Sequence, residues 1–222
     1  MPDSNEQSHP DWHQADNFLV GYGSLLSADS RLRFSNNPHL AISVSVKGYQ
    51  RSWITRAHHE QQTYVGALPN DAAEINAHCV PITLNPSLQK REQDYRFVEL
   101  AHRQVEPNGC QNTQLWAHVT QPNAKLWICE SLKRDPATPD FPINLSYIDT
   151  CLSGCIQHYQ GLSARYNIEQ GISEAKRFIE TTSDWQSIVN DRHVPRYPRA
   201  AVLTKREESL IDELLKDIWI TA

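Results

Sequence analysis

The chain has 222 residues, enough for one medium domain, or one domain with an extension, to bury a proper core. Its net charge of −5 sets a global field that does not favour nucleic acid or an anionic membrane surface. Its five cysteines (Cys79, Cys110, Cys129, Cys151, Cys155) are odd in number and form no C-x-x-C pair, which argues against a secreted disulfide framework and against a structural zinc site.

The first sixteen residues are polar, with no apolar h-region, so a disordered tail over 1–16 without a signal peptide is expected. No apolar run approaches the roughly 18 residues of a membrane span. The expectation is a soluble, cytoplasmic protein. Order begins near Asn17 with a strand from Phe18 to Tyr22. It runs into Gly21-Tyr22-Gly23-Ser24-Leu25, where two glycines free the backbone for positive φ and let a ligand approach the main chain. Successive N–H groups in such a turn suit a carboxylate or another anion. A dinucleotide fingerprint fails here, because Leu26 stands at the third glycine position and no acidic residue follows about 20 residues on. Ser24 likewise lacks the flanks of a nucleophile elbow.

Ser27 to Phe34 predicts a short helix ended by Asn36-Asn37-Pro38. Ala41 to Lys47 alternates with the period of a half-buried strand, Gly48 breaks it, and Tyr49 to Thr55 gives another. His58-His59-Glu60 falls in a loop, without metal-ligand geometry. Thr63 to Leu68 predicts a strand closed by a turn at Pro69-Asn70-Asp71, and Ile75 to Leu84 one more, with Pro81 marking an edge or bulge. Asn85-Pro86 opens a brief charged helix, and Tyr95 to Leu100 is the next strand. Gln114 to Thr120 and Lys125 to Cys129 complete the sheet, with Tyr64, Trp116 and Trp127 as wall or core. Asn144 to Gln160 carries a helical stripe that buries Cys151 and Cys155 and stops at Gly161.

Further on, Ile172 to Thr181 predicts a helix, and Trp185 to Val189 a turn. Asn190 to Arg199 is a loop with three arginines, either an ordered strap or a lid presenting an arginine to a substrate carboxylate. Thr204-Lys205-Arg206-Glu207 is a capping box, and Leu210, Ile211, Leu214, Leu215, Ile218 and Trp219 form the apolar face behind it. That helix packs on the domain or on a partner. The pattern predicts an α+β fold: a small mixed, mainly antiparallel β-barrel of about five to seven strands with flanking helices over 17–165, and a helical C-terminal extension over 166–222.

Three stretches resemble the γ-glutamylcyclotransferase superfamily, including its ChaC-like and AIG2-like branches. Gly21-Tyr22-Gly23-Ser24-Leu25 looks like its GYGSL signature. Leu88, Arg91, Glu92 and Tyr95 match its short helix L-D-x-R-E-G with the tyrosine and strand that follow, although Gln89 stands where Asp is usual and Gln93 where Gly is usual. Tyr147-Ile148 through Leu152-Ser153-Gly154 resembles the Y-hydrophobic-x-x-x-L-x-G helix after the barrel. Read from the residues alone, Glu92 is one solvated carboxylate among several on a surface helix. The resemblance makes it the catalytic general acid/base.

The same resemblance implies a small-molecule γ-glutamyl substrate whose own α-amine attacks the γ-carbonyl, releasing 5-oxoproline and an amine or amino acid without cofactor or metal. Gly21, Tyr22, Gly23, Ser24 and Leu25 would hold substrate, and Tyr95 would orient it or Glu92. Nucleic acid and membrane are not expected as partners, and the protein is expected as a monomer or homodimer. Two other readings stay open: a non-catalytic γ-glutamyl- or carboxylate-binding module on the same fold, and acyl transfer through a cysteine with one of ten histidines.

Overall fold

The structure, a computed structural model, describes residues 11–83, 88, 92, 94–109, 113–158 and 164–221. Its frame is a long antiparallel hairpin. Strand β2 (Ile42–Ala57) pairs with β3 (Gln62–Pro81) from Ile42↔Cys79 to Ala57↔Gln62. The sequence pattern divides each of these strands in two; in the structure each is continuous. Gly48 takes φ +85°, and the register shifts beside it, so this residue bends the strand as a bulge instead of ending it. Opposite, residues 70–73 bow outward. Asn70 braces the bow by donating to Gln50 Oε1 at 2.7 Å and accepting from the Ala72 N–H at 3.1 Å. The expected turn at Pro69-Asn70-Asp71 is therefore an outward step within one strand.

Strand β1 (Asn17–Gly21) lies antiparallel to the far end of β3, with Phe18↔Pro81 and Gly21↔His78 in register. On its other side β1 runs parallel to β6 (Lys125–Ser131), which in turn pairs antiparallel with β4 (Tyr95–Leu100). Strand β5 (Val105–Pro107) and the short β8 (Thr182–Ser183) flank β2. Beyond β1, β6 meets β3 again at Ala67↔Glu130. Strands β1, β3 and β6 thus pair with one another in all three combinations, and the seven-stranded sheet curls into a half-barrel. This is the α+β architecture that the strand spacing predicts.

Helix α1 (Ala28–Ser35) starts at Ser27, whose Oγ accepts from the Ser30 N–H at 3.2 Å. Two expectations fail locally. The segment expected as a strand from Gln114 to Thr120 is helix α2 (Thr113–Val119). Leu115, Ala117 and Val119 alternate, but Leu115 and Val119 are also an i, i+4 pair that one helix face turns inward. The segment from Trp185 to Val189, expected as a turn, holds strand β9 (Ile188–Val189), which pairs in parallel with β7 (Ile143–Asn144).

Helix α3 (Leu145–His158) is buried from Leu145 to Ile156, and α4 (Ala164–Glu180) and α5 (Lys205–Thr221) pack over it. Their anchors are Ala175 and Phe178 from α4 and Ile211 and Leu215 from α5. The capping box forms as expected: Thr204 N–H donates to Glu207 Oε2 at 2.8 Å, and Glu207 N–H to Thr204 Oγ1 at 3.3 Å. The C-terminal helix thus covers its own chain. Order also begins ahead of Asn17. Trp12, read from sequence as part of a polar tail, is buried against Phe18 and donates from Nε1 to the Leu40 carbonyl at 3.1 Å.

Arg51 ties these layers together. It points inward from β2 and is fully buried, with no carboxylate partner among its described contacts. Nε donates to Thr182 Oγ1 at 2.8 Å, Nη1 to the carbonyls of Tyr22 and Asn76, and Nη2 to Asn76 Oδ1, the Phe178 carbonyl and Thr181 Oγ1. The Phe178 ring lies 3.8 Å beneath the guanidinium. Phe178 and Thr181 sit at the C-terminal end of α4, where the helix dipole favours a cation. Burial lowers the Arg51 pKa to about 10, which still leaves it charged at neutral pH. Arg51→Met should strand several buried acceptors at about 1–3 kcal/mol each. The expected loss on urea unfolding is roughly 3 kcal/mol or more, and Arg51→Lys should not restore it, because an ammonium lacks the planar fork.

Candidate active site

At the end of β1 the chain leaves the sheet and enters a 3-10 turn, Ser24–Leu26, whose N-terminal neighbour is Gly23. The carbonyls of the turn are held from behind. Arg31 Nη1 donates to Leu25 O at 2.7 Å and to Leu26 O at 3.1 Å, and His78 Nδ1 lies 3.0 Å from Leu26 O. The His78 ring lies 4.2 Å from that of His158. Burial, together with His158 and Arg31, keeps the His78 pKa well below the usual histidine value, so at neutral pH the ring is uncharged and supports the turn as a neutral donor.

The two glycines serve close approach, not the positive φ that the sequence suggests. Among the described glycines only Gly48 and Gly109 have positive φ. A Cβ on Gly21 would lie 2.5 Å from Leu25 Cβ. One on Gly23 would lie 2.7 Å from Tyr147 Oη and 2.8 Å from Val65 Cγ2. Tyr147 rises from the first turn of α3, and seven residues on, Gly154 lets α3 approach the main chain of Leu26 and Ser27, which any Cβ would overlap. The helix motif and the glycine motif are two sides of one contact.

Tyr22 plugs the seam where the half-barrel closes. Its hydroxyl donates to the Cys129 carbonyl on β6 and accepts from the Ala67 N–H on β3 at 3.1 Å. Tyr95, the first residue of β4, donates from Oη to the Val65 carbonyl at 2.8 Å, and its N–H donates to the Glu92 carbonyl at 3.0 Å. Glu92 N–H in turn reaches the Leu88 carbonyl at 3.0 Å. The backbone of Glu92 is thus tied to Leu88 on one side and to the start of β4 on the other. Burial holds Tyr22 and Tyr95 well above the ordinary phenol value, and the negative charge of Glu92 raises both further. Both phenols are therefore protonated at neutral pH, and both protons are committed to main-chain carbonyls.

All seven residues expected at the site line one cleft: Gly21, Tyr22, Gly23, Ser24, Leu25, Glu92 and Tyr95. It encloses about 570 Å³, open mouth included. Asp94, Tyr64, Tyr147 and Arg199 also line it and were not singled out as site residues from the sequence. Tyr64 is wall, as expected, with its ring 4.8 Å from Tyr147 and 5.7 Å from Tyr197. Arg91, Gln89, Gln93 and Cys110 lie outside the described residues.

The arginine-bearing loop is an ordered strap. Asp191 accepts from Ser146 N–H at 2.8 Å and Ser146 Oγ at 2.6 Å, which caps the start of α3 from a distant part of the chain. Arg192 is spent on Asp149 at 2.7 Å and Asp212 at 2.7 Å, and cannot reach a substrate. Arg196 is exposed. Arg199 alone of the three turns into the cleft.

The cysteine reading loses ground for three of the described cysteines, while Cys129 is buried and lines the cleft. Burial raises the pKa values of Cys79 and Cys151 beyond the thiol range and pushes Cys155 up to about 12, so all three stay protonated at neutral pH. Among the described residues no group of three or more His, Cys, Asp or Glu could hold a metal ion, and no helix is long and apolar enough to cross a membrane.

No family model matches the chain, and no curated relative matches it. Among solved structures it is similar to a gamma-glutamyl cyclotransferase, at 11% identity and TM-score 0.45 over 88% of this chain and 98% of that one. It is similar to an uncharacterized protein from Homo sapiens, at 12% identity and TM-score 0.44 over 88% and 97% of the two chains. A gamma-glutamyl cyclotransferase specific to glutathione from yeast aligns at 11% identity and TM-score 0.41 over 90% and 98%. Similarity at this level does not carry an activity across, and the functional reading rests on the residues of the cleft.

Gly23→Ala should destabilise the protein by about 1–3 kcal/mol, the usual range for overpacking. Combining it with Tyr147→Phe removes the atom 2.7 Å away and should recover part of that loss. Thermal melts of the two single variants and the double variant measure the coupling. Strict additivity would contradict the contact.

Proposed function

We propose that this cleft cyclises a γ-glutamyl group to 5-oxoproline and releases an amine or amino acid. One observation carries the reading: Glu92 shares a single cleft with the Tyr22–Leu25 turn, flanked by phenols whose protons are already committed. Glu92 and Asp94 are the carboxylates of the lining, and main-chain hydrogen bonds to Leu88 and Tyr95 hold the backbone of Glu92.

The reaction asks for folding and proton movement. The γ-glutamyl chain must curl until its α-nitrogen meets its own γ-carbonyl carbon, which a fitted cleft favours by proximity. Glu92 takes a proton from the α-ammonium, and the freed amine attacks. A new C–N bond forms, and the carbonyl oxygen gains charge beside the N–H groups of the Tyr22–Leu25 turn. The scissile C–N bond then breaks. In the balance, two protons pass from the attacking nitrogen to the leaving nitrogen, which departs as an ammonium, and no water is consumed. One carboxylate within reach of both nitrogens can make both transfers. Tyr95 acts as a positioning residue, since its N–H holds the Glu92 carbonyl.

Glu92→Gln preserves shape and removes the proton carrier. With γ-glutamyl amino acids as substrates and 5-oxoproline as the measured product, kcat should fall roughly 10²–10⁴-fold while KM changes little. Near-normal turnover by the variant would overturn the assignment. No 5-oxoproline from the wild type, with γ-glutamyl compounds still raising the melting temperature, would make the chain a binding module instead.

A further inference from the structure

We infer that Arg199 is a specificity-determining residue of this cleft: its guanidinium fork pairs with a carboxylate of the substrate. The inference rests on the cyclisation reading for its substrate class, while its own test is a binding measurement.

Among the described lining residues, Glu92 and Asp94 are the anions and Arg199 is the cation. A γ-glutamyl amino acid brings one ammonium and two carboxylates. The protein's carboxylates suit the ammonium; something positive must meet a carboxylate in a site partly closed to water.

Arg199 is held ready for that task. Its Nε donates to Tyr197 Oη at 3.0 Å, and the guanidinium lies 5.0 Å from the centre of the Tyr197 ring. Those contacts fix one edge of the fork. Among the described residues, Nη1 and Nη2 make no hydrogen bond or ion pair. Other arginines that are buried or half-buried are matched at this end: Arg31 by the carbonyls of Leu25 and Leu26, Arg51 by five acceptors, Arg192 by two aspartates. Arg199 is half-buried, faces the cleft, and has its fork uncommitted.

Its backbone is equally fixed. On one side, Tyr197 N–H donates to Ser146 Oγ at 3.3 Å and its ring packs at a tilt against Tyr147, with centroids 4.7 Å apart. On the other, Ala201 N–H donates to Thr150 Oγ1 at 2.9 Å, and Arg33 Nη2 reaches the Ala200 carbonyl at 3.0 Å. The arginine is carried by a strap anchored to α3 and α1, so a carboxylate meets a preorganised donor.

The carboxylate has two possible sources: the α-carboxylate of the glutamyl group, or that of a departing amino acid. Three probes separate them: γ-glutamylalanine, its analogue with the glutamyl α-carboxyl as a carboxamide, and γ-glutamylethylamine, which lacks the leaving-group carboxylate. Calorimetric binding is measured for wild type, Arg199→Met and Arg199→Lys, with 5-oxoproline release in parallel. Arg199→Met should weaken γ-glutamylalanine roughly 10–100-fold, the range for a charge-assisted contact. It should leave unchanged the analogue missing the paired carboxylate, which wild type already binds poorly, and Arg199→Lys should restore the preference only in part. The insensitive analogue names the source.

An equal loss for all three probes would mean that Arg199 merely supports Tyr197, and would overturn the inference; so would unchanged binding. Tyr197→Phe, which keeps the ring and frees Nε, is the second variant should Arg199→Met fail to fold: it should weaken γ-glutamylalanine more than the insensitive analogue, and an equal effect on both counts against the inference. Binding that depends on Arg199 without 5-oxoproline release leaves the inference standing and sinks the cyclisation reading. Failure of wild type to bind any of the three sinks both.

Discussion

One buried cation holds the arrangement together. Arg51 projects from the central hairpin into a space where no described carboxylate balances it, and its charge is met by carbonyl and hydroxyl oxygens from Tyr22 just past β1, from β3, from the end of α4 and from β8. A buried charge is costly unless its hydrogen bonds are made, so these segments are constrained together. One acceptor is the Tyr22 carbonyl, the point at which the chain leaves β1 for the glycine turn. The cleft is built outward from there.

The second constraint is the closure of the sheet. Strands β3 and β6 touch at Ala67↔Glu130, and the Tyr22 hydroxyl spans them just beside that contact. Nearby, Glu130 is buried and matched by Arg96 at 2.6 Å and Tyr49 at 2.7 Å. With the seam satisfied on both sides, Glu92 and the turn line one cleft. The helices complete the wall. Tyr147 and Gly154 of α3 fill and clear the space that Gly23, Leu26 and Ser27 require.

Much of this was legible in the sequence, and the failures have physical causes. The motif residues converge because each meets a demand that only certain side chains satisfy, although the demand at Gly21 and Gly23 is for space and not for positive φ. The breaks read at Gly48 and at Pro69-Asn70-Asp71 were real irregularities, but a strand with a long partner continues through a bulge where an isolated pattern would end. Leu115, Ala117 and Val119 could not separate a two-residue period from an i, i+4 pair. Arg199 was hidden among three arginines of one loop, because the partners that occupy Arg192 lie in helices 43 and 20 residues away in sequence. Arg51 left no trace at all, since three of its six acceptors are main-chain carbonyls and the other three are Asn and Thr side chains distant in sequence.

In the proposed reaction the substrate's own nitrogen, and not water, attacks the γ-carbonyl in this cleft. The most direct test is turnover of a γ-glutamyl amino acid in ¹⁸O-enriched water, with the glutamyl product analysed by mass spectrometry. The account predicts 5-oxoproline whose ring carbonyl carries no ¹⁸O. Glutamate with ¹⁸O in its γ-carboxylate would show that water attacks, and would contradict the mechanism.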